Sequence, residues 1–183
     1  MSNHTTPRCV PIPLASGKTG YIFAGPTRTR LEGYALVRLA AEIEVPIGIV
    51  AYNIPVSDFK PLDPFDLLDA IPNILNDLES GVRLYVGCMG GSGRTGTLLA
   101  LLVAQHPSFD GTAAISYIRQ VYKASAIETK EQEWQVHTLA GKMPQTFAPS
   151  FPPVEEFTDA PPNGFSAWIG ATTSNLWGKV TRR

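Results

Sequence analysis

The sequence is poor in several features that would each announce a class of protein. Lysine and arginine number 15 against 16 aspartates and glutamates, for a net charge of −1. The basic stripe of a nucleic-acid surface is therefore missing, and nucleic acid is not expected as a main partner. No apolar run approaches the roughly eighteen residues that would suggest a membrane span, and residues 1–8, MSNHTTPR, lack the apolar core of a secretory signal. A soluble, cytoplasmic protein is expected. There are two cysteines, Cys9 and Cys88, too few for a disulfide framework, which suits a reducing compartment. No internal repeat is visible, and the nucleotide-binding pattern Gly-x-x-x-x-Gly-Lys-Ser/Thr does not occur.

What is present centres on residues 82–97, VRLYVGCMGGSGRTGT. Residues 82–86 form a short apolar run that reads as a buried strand. Gly87, Gly90, Gly91 and Gly93 surround Cys88, and residues 97–105, TLLALLVAQ, are strong helix formers. A glycine-rich loop between a strand and a helix lets successive amide N–H groups converge where the positive end of the helix dipole points, and so holds an anion. A thiol at the mouth of such a nest, with Arg94 six positions on, should be present as thiolate near neutral pH. It would be a nucleophile aimed at a bound phosphoryl group.

Cys88-Met-Gly-Gly-Ser-Gly-Arg94-Thr-Gly fits Cys-x5-Arg-Ser/Thr and resembles the signature loop of the cysteine-dependent protein tyrosine and dual-specificity phosphatases. The resemblance covers residues 8–142 and implies a phosphoric monoester hydrolase working through a phosphocysteine. In that reading Cys88 attacks phosphorus while Arg94 and the amides of Met89, Gly90, Gly91, Ser92 and Gly93 bind the phosphate oxygens. Thr95 stabilises the departing thiolate, and no metal or cofactor takes part. The general acid has to come from a loop near the cradle. Asp58, in Val-Ser-Asp-Phe-Lys-Pro just after an apolar run ending at Pro55, resembles that loop; Asp63 is the alternative, and Asp66, Asp69 and Asp77 are expected on a solvated helix face. Ile127-Glu-Thr-Lys-Glu-Gln resembles the segment in which relatives position the attacking water, which points to Gln132, with Glu128 second or simply part of a charged helix start. One departure stands out. Relatives usually carry His before the cysteine and this chain has Gly87, so a thiolate harder to form than theirs is expected.

The remaining chain reads as an α/β fold, a small, mainly parallel central sheet with helices on both faces and the active loop at a strand C-terminal end. Residues 9–14 and 21–24 suggest paired edge strands, since Pro11 and Pro13 suit only an edge. Leu31, Tyr34, Ala35, Leu39, Ala40 and Ile43 recur at helical spacing and predict a helix over residues 30–44. Residues 45–55 predict a central strand. Phe65, Leu68, Ile71, Ile74, Leu75 and Leu78 predict the apolar stripe of a helix over 65–79 that Pro72 should kink or split. Two further helices are expected over 112–123 and 128–142.

Residues 1–142 then make the phosphatase domain. Six prolines between Pro144 and Pro162 mark residues 143–163 as an extended linker. Residues 164–183 form an apolar and basic tail whose Trp168, Ile169, Leu176 and Trp177 are expected to dock on the domain or on a protein partner. Cys9 reads either as a strand cysteine or as a partner for an oxidised Cys88. The expected substrate is a phosphoprotein, with phosphotyrosine accepted, handled by a small dual-specificity-like enzyme. Phosphoinositide or RNA 5′-phosphate substrates are alternatives, though the loop has no lysine. A phospho-binding pseudophosphatase is the competing class, and a sulfur-transfer or arsenate-reducing protein is a more distant one.

Overall fold

A computed structural model describes residues 6–142. The linker expected over 143–163 and the docking tail with Trp168, Ile169, Leu176 and Trp177 lie outside the described residues.

Five strands form one sheet in the order β1-β2-β5-β3-β4, with β1 Arg8–Pro13, β2 Thr19–Pro26, β3 Ala35–Ala40, β4 Val50–Val56 and β5 Leu84–Cys88. Only β1 runs antiparallel to its neighbour. The β2–β5, β5–β3 and β3–β4 pairings are parallel, so their C-terminal ends share one edge. The α/β, mainly parallel architecture is as expected. So is the edge position of β1, whose Pro11 and Pro13 lack the N–H that an interior strand would need.

The four helices, α1 Pro64–Glu79, α2 Gly93–Val103, α3 Gly111–Val121 and α4 Lys130–Leu139, share a single core with one alternation of the sheet, including Val10, Ile22, Ala24, Val37, Ile54 and Val86. Every residue of α2 is buried. The opposite face is crossed by residues 27–34, whose one 3-10 turn, Thr27–Thr29, brings the Thr29 hydroxyl to 3.2 Å from that of Tyr85. The second face thus carries a short turn in place of the expected helix.

The helix expected over 30–44 is corrected by β3. Its residues ALVRLA lie between two strands, and all but Arg38 are buried. A strand buried on both faces loses its period of two, and its apolar run is then indistinguishable from a helix stripe. The strand expected over 45–55 is β4 and begins later, after a 3-10 turn at Ile47–Ile49, and it lies at the sheet edge rather than the centre. Pro55 within it is tolerated for that reason.

In α1 the buried stripe is Leu67, Ala70, Ile71, Ile74 and Leu78, while Phe65 and Leu68, expected inside, are 82% and 44% exposed. The helix is not split at Pro72. Asp63 caps it by accepting from the Phe65 N–H at 2.8 Å, the ordinary role of an aspartate just before a proline-started helix.

Asp77 departs furthest from expectation. It is fully buried at the end of α1, where Oδ2 accepts a 2.6 Å hydrogen bond from Tyr52 and Oδ1 has no partner among the described residues. Burial pushes its pKa up to about 6, and the Tyr52 bond only partly opposes the shift. A carboxyl that holds its proton more tightly when folded contributes stability below the unfolded value near 3.8, and that contribution is lost as pH rises through about 6. The unfolding free energy of Asp77→Asn relative to wild type should therefore grow by up to about 3 kcal/mol between pH 4 and pH 7. Urea unfolding across that range measures it, and parallel pH curves would show the carboxyl to be solvated.

Candidate active site

Strand β5 is buried at all five residues and ends at Cys88, beside the end of β2, where Pro26 is its register partner. The chain turns through residues 89–92 and enters α2 at Gly93. Within the turn the carbonyls point toward α3 and the segment that follows it. Gly90 O accepts from Lys123 Nζ at 3.2 Å, and Gly91 O accepts from the same ammonium at 2.9 Å and from the Tyr122 hydroxyl. Ser92 O accepts from the Ile127 N–H at 3.4 Å, and Gly93 O accepts from Thr97 Oγ1 at 2.9 Å. In a planar trans peptide the N–H opposes the carbonyl, so the amides of residues 91–94 face the other way, into a common bowl. The Gly91 N–H donates to Cys88 Sγ at 3.2 Å. The geometry is a nest of amides closed by the N-terminus of α2, with the sulfur at its floor.

Two glycines are dictated by close approach. Gly91 has φ +65°, and a Cβ there would lie 2.6 Å from Pro26 N. At Gly87 a Cβ would lie 2.7 Å from Thr27 Oγ1 and 2.9 Å from Thr27 Cα. The space that a side chain at position 87 would need is occupied by the turn after β2.

Arg94 is 1% exposed. Its Nη1 donates to Glu42 Oε2 at 2.9 Å and to Val56 O at 2.7 Å, while Nη2 donates to Glu42 Oε1 at 2.6 Å. Nη2 also pairs with Asp58 Oδ1 at 2.9 Å. Three of the five guanidinium N–H groups thereby donate hydrogen bonds, the Asp58 contact is an ion pair, and Nε has no partner among the described residues. Burial works against the Arg94 charge, but the Glu42 hydrogen bond, the Cys88 sulfur and Asp58 more than offset it, and its pKa is raised. The same hydrogen bond, set against a smaller burial effect, holds the Glu42 carboxyl below its usual range.

A family model described as "PTP-SAK: Swiss Army Knife protein, DSP-PTPase phosphatase domain" matches residues 40–136, from the end of β3 to α4. The chain belongs to this phosphatase-domain family. It is 33% identical over 93 residues to the uncharacterized protein MJECL20 of Methanocaldococcus jannaschii and 32% identical over 93 residues to the uncharacterized protein MJ0215 of that organism, in each case over 50% of this chain. It spans 60% and 55% of the lengths of these relatives. Among solved structures, Tk-PTP in its active form is similar with a TM-score of 0.53 and 22% identity, over 61% of this chain and 80% of that one. Kinase associated phosphatase (KAP), with its catalytic-site cysteine substituted by serine, gives 0.57 and 17% over 75% and 98%. These likenesses show the DSP-PTPase fold.

Within this family fold, Cys88, Arg94 and Asp58, which sequence reasoning singled out, meet at one place. Thr95 lies in the first turn of α2 with a buried hydroxyl that has no partner among the described residues. Gln132 is close by, 3.2 Å from where a Cβ on Gly93 would sit, but its amide is engaged elsewhere. Oε1 accepts from the N–H groups of Glu128 and Thr129 at 2.9 and 3.3 Å, and Nε2 donates to Lys60 O at 3.3 Å. With Thr129 it forms the capping box of α4. These bonds fix Gln132 at the start of α4 with its side-chain amide beside Gly93. The exposed Glu128 carboxylate also presses against Gly93 at the rim.

Cys9 cannot partner Cys88. It aligns with Phe23, which aligns with Tyr85, so it lies two strands away and three residues back from Cys88. Strand spacings put the two more than about 10 Å apart, beyond disulfide reach. Among the described residues no group of three or more His, Cys, Asp or Glu gathers that could hold a metal ion, and no helix is long and apolar enough to cross a membrane.

Sequence reasoning missed Glu42, Tyr122 and Lys123. Glu42 was hidden inside the stretch read as a helix, where an acid near the end looks like a surface residue. Tyr122 and Lys123 follow α3 and carry no local signal, since their partners lie more than thirty residues earlier in the chain.

The crowding at position 87 yields a stability prediction. Gly87→Ala should cost roughly 1–3 kcal/mol, because the Thr27 backbone must move to admit even a methyl group, and Gly87→His should cost more. Chemical denaturation of the three proteins measures this, and an unchanged midpoint would show that the turn yields freely.

Proposed function

We propose that the chain hydrolyses phosphate monoesters through a phosphocysteine, as a small dual-specificity-like protein phosphatase that accepts phosphotyrosine. The observation that carries this reading is the Cys88 sulfur receiving the Gly91 N–H at the floor of an inward-facing amide nest, with a buried guanidinium from the same loop.

The hydrogen-bond count on Arg94 suggests how a substrate would be received. A phosphoryl group gripped in bidentate fashion takes the free Nε–H and a second N–H on that side, from the Nη2 now ion-paired with Asp58. Binding then releases Asp58 from Arg94, the freed carboxylate takes a proton from solvent, and the resulting carboxyl turns to the leaving oxygen. Cys88 attacks phosphorus in line, the P–O bond to the leaving group breaks, and Asp58 supplies the proton that the departing oxygen takes. Water next attacks the phosphocysteine, the P–S bond breaks, and the proton of water passes to the Asp58 carboxylate. Glu128 stands at the rim to orient that water, and Gln132 holds the Glu128 backbone in place. The Thr95 hydroxyl, in the turn that starts α2 and without a partner among the described residues, donates to the returning thiolate. Glu42 and the Val56 carbonyl keep the guanidinium planar to the bowl throughout. Exposed Phe59, beside Asp58, and Met89, in the loop, offer apolar surface to an aromatic leaving group, which favours aryl phosphates.

Hydrolysis of para-nitrophenyl phosphate tests the assignment. Cys88→Ser should lower kcat by about a thousandfold or more and Asp58→Asn by about a hundredfold. Glu42→Gln should lower kcat/KM by about tenfold through a loosened Arg94. Equal rates for wild type and Cys88→Ser would leave a phosphate-binding protein without turnover. A panel of phosphopeptide, phosphoinositide and 5′-triphosphate RNA then ranks substrates, with phosphotyrosine peptide expected to be preferred.

A further inference from the structure

Beneath the bowl lies a buried ammonium that the reaction scheme above does not use. Lys123 is 7% exposed and Tyr122 is fully buried. The Lys123 Nζ hydrogen bonds run only to the carbonyls of Gly90 and Gly91 among the described residues, and it stands 5.3 Å from the centroid of the Tyr122 ring. No carboxylate forms an ion pair with it among the described residues. Burying an ammonium without a counter-ion is costly, and fixed carbonyl dipoles compensate only part of its charge. What remains must be matched by an anion within reach. Burial lowers the Lys123 pKa and Arg8 adds to that, whereas the Cys88 sulfur and Glu128 act in the opposite sense. The charged groups around it are thus one cation, one rim carboxylate and the sulfur of the bowl.

We propose that Lys123, seated by Tyr122, is a positioning residue of the anion site. It turns the Gly90 and Gly91 carbonyls outward so that the following amides face the ligand, and its charge lies behind the bowl as the fixed counter-ion of whatever anion the bowl holds. The inference rests on the reading of residues 88–94 as a phosphate cradle. It also accounts for a loop that functions without a lysine of its own and without a histidine at position 87. The cation arrives from the end of α3, some thirty residues later, on the side of the loop that Thr27 leaves open.

Calorimetric titration of tungstate, a tetrahedral oxyanion, into the full chain tests this. Wild type should bind. Lys123→Met should weaken binding about tenfold while its melting temperature stays level or rises, since an uncompensated buried charge has been removed. Lys123→Arg, which keeps the charge, should recover most of the affinity. A residue with a purely structural role would shift melting and leave tungstate affinity alone. If Lys123→Met does not fold, Lys123→Gln, which keeps a donor without the charge, carries the test with the same expected weakening. Folded wild type that fails to bind tungstate would sink the cradle reading itself. Wild type that binds, with Lys123→Met or Lys123→Gln binding equally well, would overturn this inference alone.

Discussion

A buried guanidinium has five N–H groups that must find acceptors, and at Arg94 that demand gathers the C-terminal edge of the sheet. Glu42 comes from the turn after β3, the Val56 carbonyl from the last residue of β4, and Asp58 from the loop beyond it. These segments are contiguous in sequence only with their own strands. They meet because β3 and β4 run parallel to β5 and therefore end on the same side as Cys88. The pairing is best understood as specificity rather than stability. Glu42 and Asp58 are one third to one half exposed, so solvent screens part of the attraction, whereas the fully enclosed Arg94 has few other ways to be satisfied.

The bowl depends on a second constraint, the absence of side chains where backbones meet. Gly91 must lie against the Gly25–Pro26 peptide of β2, and Gly87 against Thr27. The loop is thus pressed into shape from the sheet side by β2 and drawn outward from the helix side by Tyr122, Lys123 and the Ile127 amide. Compression and tension act on opposite faces of the same few peptides. That is how a run of glycines, flexible in isolation, becomes a fixed ring of donors.

The segment between α3 and α4 is itself held under strain. Ile127 adopts φ +64°, an unusual conformation for a β-branched residue. Arg119 clamps it, donating to Ala126 O and Ile127 O at 3.1 Å each and pairing with Glu133 at 2.6 Å. Strain of this kind persists where surrounding structure over-determines it. Here it delivers the Ile127 N–H to Ser92 O and sets Glu128 at the rim, so two of the contacts that shape the bowl descend from one turn.

Local chemistry was legible wherever a residue and its role lie close together in sequence. Cys88, Arg94 and their glycines announced an anion nest between a strand and a helix, Pro11 and Pro13 announced an edge strand, and Asp58 was located by its distance from the end of β4. Where burial on both faces removes periodicity, as in β3, the sequence misleads, because an apolar run is compatible with either element. Where a side chain answers to a partner far along the chain, it says nothing. Asp77 looks like any surface acid until α1 packs it against Tyr52, Gln132 looks free until the start of α4 claims its amide, and Lys123 looks solvated until Gly90 and Gly91 lie over it. Spacing along the chain determined that Cys88, Arg94 and Asp58 meet at one bowl. Tertiary packing decided which polar groups are enclosed and therefore obliged to hydrogen-bond one another, because enclosure belongs to the assembled layers and not to any local stretch of residues.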